Sequence, residues 1–122
     1  MNTTDTVLVV DDRAEICELV QEMLTSHSFE VHCAKDGTEA LGVLDTKRID
    51  LAIIDLLLPG PLSGDDVAAH ATGRGVKVIT MSGALASDSR GRDLRHPHVR
   101  KPFRLADLLA AVNTALATSH GG

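Results

Sequence analysis

The hydrophobic positions of this chain follow two different periods. Val7-Leu8-Val9-Val10, Leu51-Ala52-Ile53-Ile54 and Val76-Lys77-Val78-Ile79-Thr80-Met81 are short, nearly continuous apolar runs. Runs of that length predict strands buried on both faces, as in a parallel sheet. Residues 29–34 instead alternate through Phe29, Val31 and Cys33, which predicts an edge strand, and residues 98–100 predict a short last strand. Between the strands the period changes. Residues 14–26 place Ile16, Leu19, Val20, Met23 and Leu24 at helical spacing, with Asp12 and Glu15 offering a capping box. Thr38 is expected to cap a helix carrying Ala40, Leu41 and Leu44, and Ser63 one that runs through Val67 to Ala71. Gly73 and Gly75 bracket the turn into the third apolar run. Residues 104–117 close the pattern as a helix burying Leu105, Leu108, Leu109, Val112 and Leu116. Strands alternating with helices predict βαβ units.

One stretch breaks the pattern. From Ser87 to His96 the only apolar side chain apart from Pro and Gly is Leu94. No apolar helical stripe can form there, and Gly91 weakens a helix further. A fourth helix in this place is expected to be short or degenerate, with residues 87–96 mobile.

Composition narrows the function. The chain has 122 residues, 43% of them hydrophobic, which fits one domain, 1–122, with residues 118–122 as a flexible tail. There is no Trp or Tyr, and only Phe29 and Phe103 could stack on bases, so nucleic-acid binding is not expected. No apolar run approaches membrane-spanning length and the first residues lack a charged leader. A cytoplasmic protein without membrane contact is the expectation. Cys17 and Cys33 lack metal-ligand spacing and read as buried free thiols. His27, His32, His70 and His120 are scattered without ligand spacing, and His96-Pro97-His98 is the nearest approach to a metal pair. The formal charge is −5, but the acidic residues crowd before Asp66 while Arg90, Arg92, Arg95, Arg100, Lys101 and Arg104 gather late. That late cluster reads either as a solvated loop or as a contact surface for an acidic partner.

The candidate chemistry sits where the apolar runs end. Asp11 and Asp12 follow the first run and Asp55 the second run at 51–54, while Ser82 follows Met81 and Lys101 stands just after the last short strand. In a flavodoxin-like, doubly wound, five-stranded parallel sheet of order 2-1-3-4-5, these residues form one row along the carboxyl edge, on strands about 4.8 Å apart. Three adjacent carboxylates repel unless a cation neutralises them. Mg²⁺ suits such a site because it takes oxygen ligands, keeps waters and bridges to phosphate. Asp55 could then attack a phosphoryl group in line, with Lys101 and Ser82 binding phosphoryl oxygens. Each residue also has a plainer reading: Asp12 as a helix cap, Asp55 and Ser82 as turn residues, Lys101 as a solvated side chain.

Five segments in order resemble the receiver domains of two-component response regulators: Val9-Val10-Asp11-Asp12, residues 34–41 around Asp36-Gly37, Asp55 with Pro59-Gly60, Thr80-Met81-Ser82-Gly83, and Lys101-Pro102-Phe103. The resemblance covers essentially the whole chain. It implies that Asp55 is the phosphoacceptor, that Asp12 and Asp55 bind Mg²⁺ (or Mn²⁺) directly with the Leu57 carbonyl, and that Asp11 does so through water. It implies that Ser82 is the switch hydroxyl, that Lys101 pairs with the phosphoryl group, and that Lys101-Pro102 is a cis peptide. The donor would be a sensor histidine kinase or histidine phosphotransfer protein. The protein would then be a stand-alone signalling switch rather than an enzyme, a monomer or weak dimer acting on a downstream protein. Two departures stand out. The segment between Ser82 and Lys101 is shorter than usual, and His98 occupies the place of the usual switch aromatic. Leu57 and Ala84 take the two places that, in the family, help orient the water that removes the phosphoryl group. A small aspartyl-phosphate hydrolase of the haloacid-dehalogenase type is a competing reading, but it wants Asp-x-Asp where this chain has Asp11-Asp12-Arg13. A receiver-fold docking module that works without phosphorylation is another, and its mark would be loss of Asp55, Asp12 or Lys101.

Overall fold

The computed structural model describes residues 5–83 and 96–117. Five strands, β1 (Thr6–Val10), β2 (Glu30–Ala34), β3 (Leu51–Asp55), β4 (Lys77–Ser82) and β5 (His98–Arg100), form one parallel sheet of order β2-β1-β3-β4-β5. This is the flavodoxin-like, doubly wound order expected. The described helices are α1 (Ala14–Thr25), α2 (Gly37–Thr46), α3 (Gly64–Gly73) and α4 (Leu105–Ala117). The stretch expected to be a degenerate helix, residues 87–96, lies outside the described residues except for His96, and the 118–122 tail lies outside them entirely.

The continuous apolar runs follow from two-sided burial. Every residue of β3 is buried, and so are residues 7–10 of β1. Successive side chains point to opposite faces. Val7, Val9, Leu51, Ile53, Ile79 and Met81 therefore join Val20, Leu24, Leu108 and Val112 in one core layer under α1 and α4. Leu8, Val10, Ala52, Ile54 and Val78 join Ala40, Leu44, Val67 and Ala71 in the other, under α2 and α3. Burying an Ile or Leu side chain contributes about 1.5–3 kcal/mol, and a one-residue slip of β3 would exchange its side chains between the two layers. In the observed register Val9 lies opposite Ile53, Ile53 opposite Ile79, and Asp55 opposite Met81.

Local details correct several sequence expectations. Arg13, not Asp12, is the N-cap of α1, and it makes no side-chain cap bond. The reason lies one residue earlier: Asp11 turns back to accept from the Arg13 amide at 2.9 Å, leaving Asp12 exposed. The cap of α2 is Asp36 rather than Thr38; its carboxylate accepts from the Glu39 amide at 2.9 Å, while Glu39 accepts from the Lys35 amide at 2.8 Å. Ser63 does cap α3, in a reciprocal box with Asp66. Leu105 is exposed at 37% because it opens α4 before the helix reaches the sheet, whereas Ala115 is buried. Cys17 is buried, but Cys33 on the edge strand β2 is only partly so.

Candidate functional site

The carboxyl ends of β1, β3 and β4, with the residue after β5, bring the predicted side chains to one edge of the sheet. Asp11 follows β1 and is 1% exposed; Asp55 ends β3 and is 5% exposed. Carboxylate oxygens of Asp11, Asp12 and Asp55 all lie within 4.8 Å of one another. Lys101 Nζ donates to Asp11 Oδ2 at 2.6 Å and to Asp55 Oδ2 at 3.0 Å. The Lys101-Pro102 peptide is cis, and the Lys101 amide donates to the Ser82 carbonyl at 2.8 Å.

The remaining oxygens are also held. Asp11 Oδ1 accepts from the Arg13 amide, and Asp55 Oδ1 accepts from the Leu57 amide at 3.1 Å. Both buried carboxylates are thus fixed in orientation, while Asp12 is exposed and points its charge into the same cluster. Burial pushes the Asp55 carboxyl above its ordinary range, and the Asp11 charge adds to this; the Leu57 amide and Lys101 only partly offset it. Burial acts on Lys101 in the opposite sense, but hydrogen bonds to Asp11 and Asp55 outweigh it and raise the ammonium above its usual range. Three carboxylates against one ammonium leave two negative charges. An all-oxygen donor set with that excess fits a hard divalent cation such as Mg²⁺.

Ser82 ends β4, one position past the residue that faces Asp55, and is 2% exposed. It is bonded to His98, an exposed residue of β5 whose ring reaches back over β4. The His98 ring spans β4: Nδ1 lies 2.6 Å from Thr80 Oγ1 and Nε2 lies 2.8 Å from Ser82 Oγ. Parallel register places Thr80 opposite His98 and Ser82 opposite Arg100 on the same face. Among the other histidines, His27 bonds the Met23 carbonyl, His32 pairs with Glu30, and His70 with Asp45. His120 is outside the described residues.

Two contributors escaped sequence reasoning. Thr80 reads as one more strand residue, and only the β4–β5 register reveals its bond to His98. Gly64 is the other. A Cβ there would collide with the Asp55 carbonyl oxygen and stand 2.7 Å from Leu56 Cα. α3 can therefore approach the end of β3 only with glycine at this place. The available signal was a glycine in the first helical position, where a better helix former costs less.

The family model for the response regulator receiver domain matches residues 7–113. The chain belongs to that family. Receiver domains are signalling switches that bind Mg²⁺ at an acidic pocket, and those of response regulators receive phosphate from histidine kinases. The regulatory protein VanRc of Enterococcus gallinarum is 29% identical over 122 residues, covering 93% of this chain and 50% of its own length. The protein named DNA-binding response regulator MtrA of Mycolicibacterium paratuberculosis is 32% identical over 118 residues, covering 90% and 50%. The chain thus spans about half the length of the curated relatives it matches. Among solved structures, a response regulator receiver protein from Sinorhizobium medicae superposes with a TM-score of 0.84 at 28% identity, covering 96% of this chain and 98% of the other. A CheY-like receiver domain protein from Methanospirillum hungatei gives 0.85 at 23%, covering 98% of both, a likeness of fold alone. No helix among the described residues is long and apolar enough to cross a membrane.

Proposed function

We propose that this receiver domain is the phosphoacceptor of a two-component system or phosphorelay, and that Asp55 takes the phosphoryl group from a phosphohistidine. The donor would be a sensor histidine kinase or a histidine phosphotransfer protein in the cytoplasm. The observation that carries this reading is the cluster itself: three carboxylates within 4.8 Å, with Lys101 bonded to two of them.

Asp12 and Asp55 would hold Mg²⁺, or Mn²⁺ in its place, with the Leu57 carbonyl. Asp11, whose oxygens accept from Arg13 and Lys101, would bind it through water. When bound, the cation neutralises charge on the transferring phosphoryl oxygens. The protein's own groups do the rest. An Asp55 carboxylate oxygen forms a bond to phosphorus as the phosphorus–nitrogen bond of the donor imidazole breaks. The Leu57 amide and Lys101 hold the Asp55 carboxylate so that it meets the donor in one orientation. Lys101, 3.0 Å from Asp55 Oδ2, stands where an ammonium can pair with a phosphoryl oxygen. Ser82 would donate to another. The Ser82–His98 pair would carry the change outward, in place of a hydroxyl and a rotating aromatic. The domain would be a switch and not an enzyme, despite assisting its own phosphorylation. The docking-only alternative draws no support, since Asp12, Asp55 and Lys101 are all in place.

The test is intact-mass measurement after incubation with acetyl phosphate. A shift of one phosphoryl group that requires Mg²⁺ and disappears with a chelator is expected. No shift with either ion, under conditions that label another receiver domain, would contradict the proposal.

A further inference from the structure

The bond between His98 and Ser82 has a consequence for phosphoryl binding that depends only on counting protons. A hydroxyl carries one proton, and a neutral imidazole carries one on its two ring nitrogens. Thr80 Oγ1, the His98 ring and Ser82 Oγ form a chain with contacts of 2.6 and 2.8 Å. That chain can run in two directions. In one, Ser82 donates to Nε2 and Nδ1–H donates to Thr80; the only Ser82 proton is then spent on the ring. In the other, Thr80 donates to Nδ1 and Nε2–H donates to Ser82; the Ser82 proton is then free to point elsewhere. An imidazolium gives the same result at Ser82, because both nitrogens donate.

A phosphoryl oxygen only accepts. If Ser82 binds it, Ser82 must donate to it, and the ring must hold the Ser82 oxygen from the other side. We propose that His98 is a positioning residue for phosphoryl binding: anchored on Thr80, it donates from Nε2 to Ser82 Oγ and so commits the Ser82 proton to the phosphoryl group. This rests on Ser82 being the hydroxyl that meets the phosphoryl group. Binding at Asp55 and a proton on His98 Nε2 are then linked, each favouring the other. Thr80 is 5% exposed and Ser82 2%, so neither hydroxyl can easily exchange its ring partner for water. A phenylalanine at this place offers neither bond.

The test uses the wild-type chain with ¹⁵N-labelled histidine, with Mg²⁺ and with or without beryllofluoride as the phosphoryl mimic, at one fixed pH. Long-range ¹H–¹⁵N spectra distinguish the two tautomers and the imidazolium. Nε2 of His98 protonated in the beryllofluoride state supports the proposal; Nε2 unprotonated there overturns it, whatever any variant does. Variants give a second readout. His98→Phe should bind beryllofluoride roughly five- to tenfold more weakly, the equivalent of one hydrogen bond. His98→Gln should restore most of this, since its amide can donate to Ser82 while its carbonyl accepts from Thr80. Equal binding by wild type and His98→Phe overturns the proposal. If wild type takes no beryllofluoride at all, the phosphoacceptor reading falls with it; if it binds with Nε2 unprotonated, only the positioning role falls.

Discussion

Lys101 Nζ lies 2.6 Å from Asp11 Oδ2, a contact between residues 90 positions apart. It closes the site by joining the end of β1 to the residue after β5, and its second bond reaches Asp55 on β3. The Lys101 side chain is 12% exposed, and those of Asp11 and Asp55 are 0% and 7%. An ion pair this buried is costly to break by removing one partner.

Lys101→Met should therefore destabilise the metal-free protein by about 3–5 kcal/mol at neutral pH. Burial already pushes the Asp55 carboxyl above its ordinary range, and losing Lys101, which offsets this, would push it further. Stability lost at pH 7 should then return as pH falls and Asp55 protonates. Urea melts of wild type and variant at two pH values check this, and added Mg²⁺ should recover part of the loss.

Asp12 is the exposed member of the acidic cluster, and its side chain caps no helix. Asp12→Ala should leave thermal stability close to wild type and weaken Mg²⁺ binding at least about tenfold. Calorimetric titration decides. An unchanged affinity would remove Asp12 from the metal site.

Leu57 is 62% exposed two residues after Asp55, and its side chain cannot hydrogen-bond water. The phosphoryl group should be long-lived as a result. Leu57→Asn together with Ala84→Glu should speed its loss several-fold, read as decay of the phosphorylated mass after the donor is removed.

Burial pushes the Cys17 thiol up to about 12, with Cys33 adding to the effect. Its thiolate fraction near neutral pH should be roughly a thousandfold below that of an unfolded thiol. Native Cys17 should resist iodoacetamide at pH 8 and react readily in urea. Because the folded pKa is the higher one, Cys17 lowers stability only as pH climbs from about 9 towards about 12.

The strands were legible because burial on both faces leaves an uninterrupted apolar run, and their alternation with helices predicts a parallel sheet without fixing the strand order. Helix starts were less so. Asp12 and Thr38 both satisfy a capping pattern on paper, and at α1 the choice turns on which carboxylate already has another partner. Asp11 takes the Arg13 amide and Lys101 together, so no pattern within the first turn of α1 could decide it. Leu105 fits the helical stripe, but its exposure depends on where α4 begins to pack on the sheet. Gly64 and Thr80 were missed for a related reason: one matters through the Asp55 carbonyl on another strand, the other through a cross-strand register with His98. Contacts between elements are not written in the spacing of either element alone.

The central claim is that Asp55 is the phosphorylated residue, and peptide mapping tests it most directly. Wild type and Asp55→Asn would be incubated with acetyl phosphate and Mg²⁺, then reduced with borohydride to mark acyl phosphates and digested. The amide is nearly isosteric and removes one of three crowded negative charges, so the variant should fold with equal or greater stability while carrying no mark. Wild type should carry a single mark, at Asp55. A mark on Asp11, Asp12 or any other residue of wild type, or one that persists in folded Asp55→Asn at the wild-type level, would contradict the account.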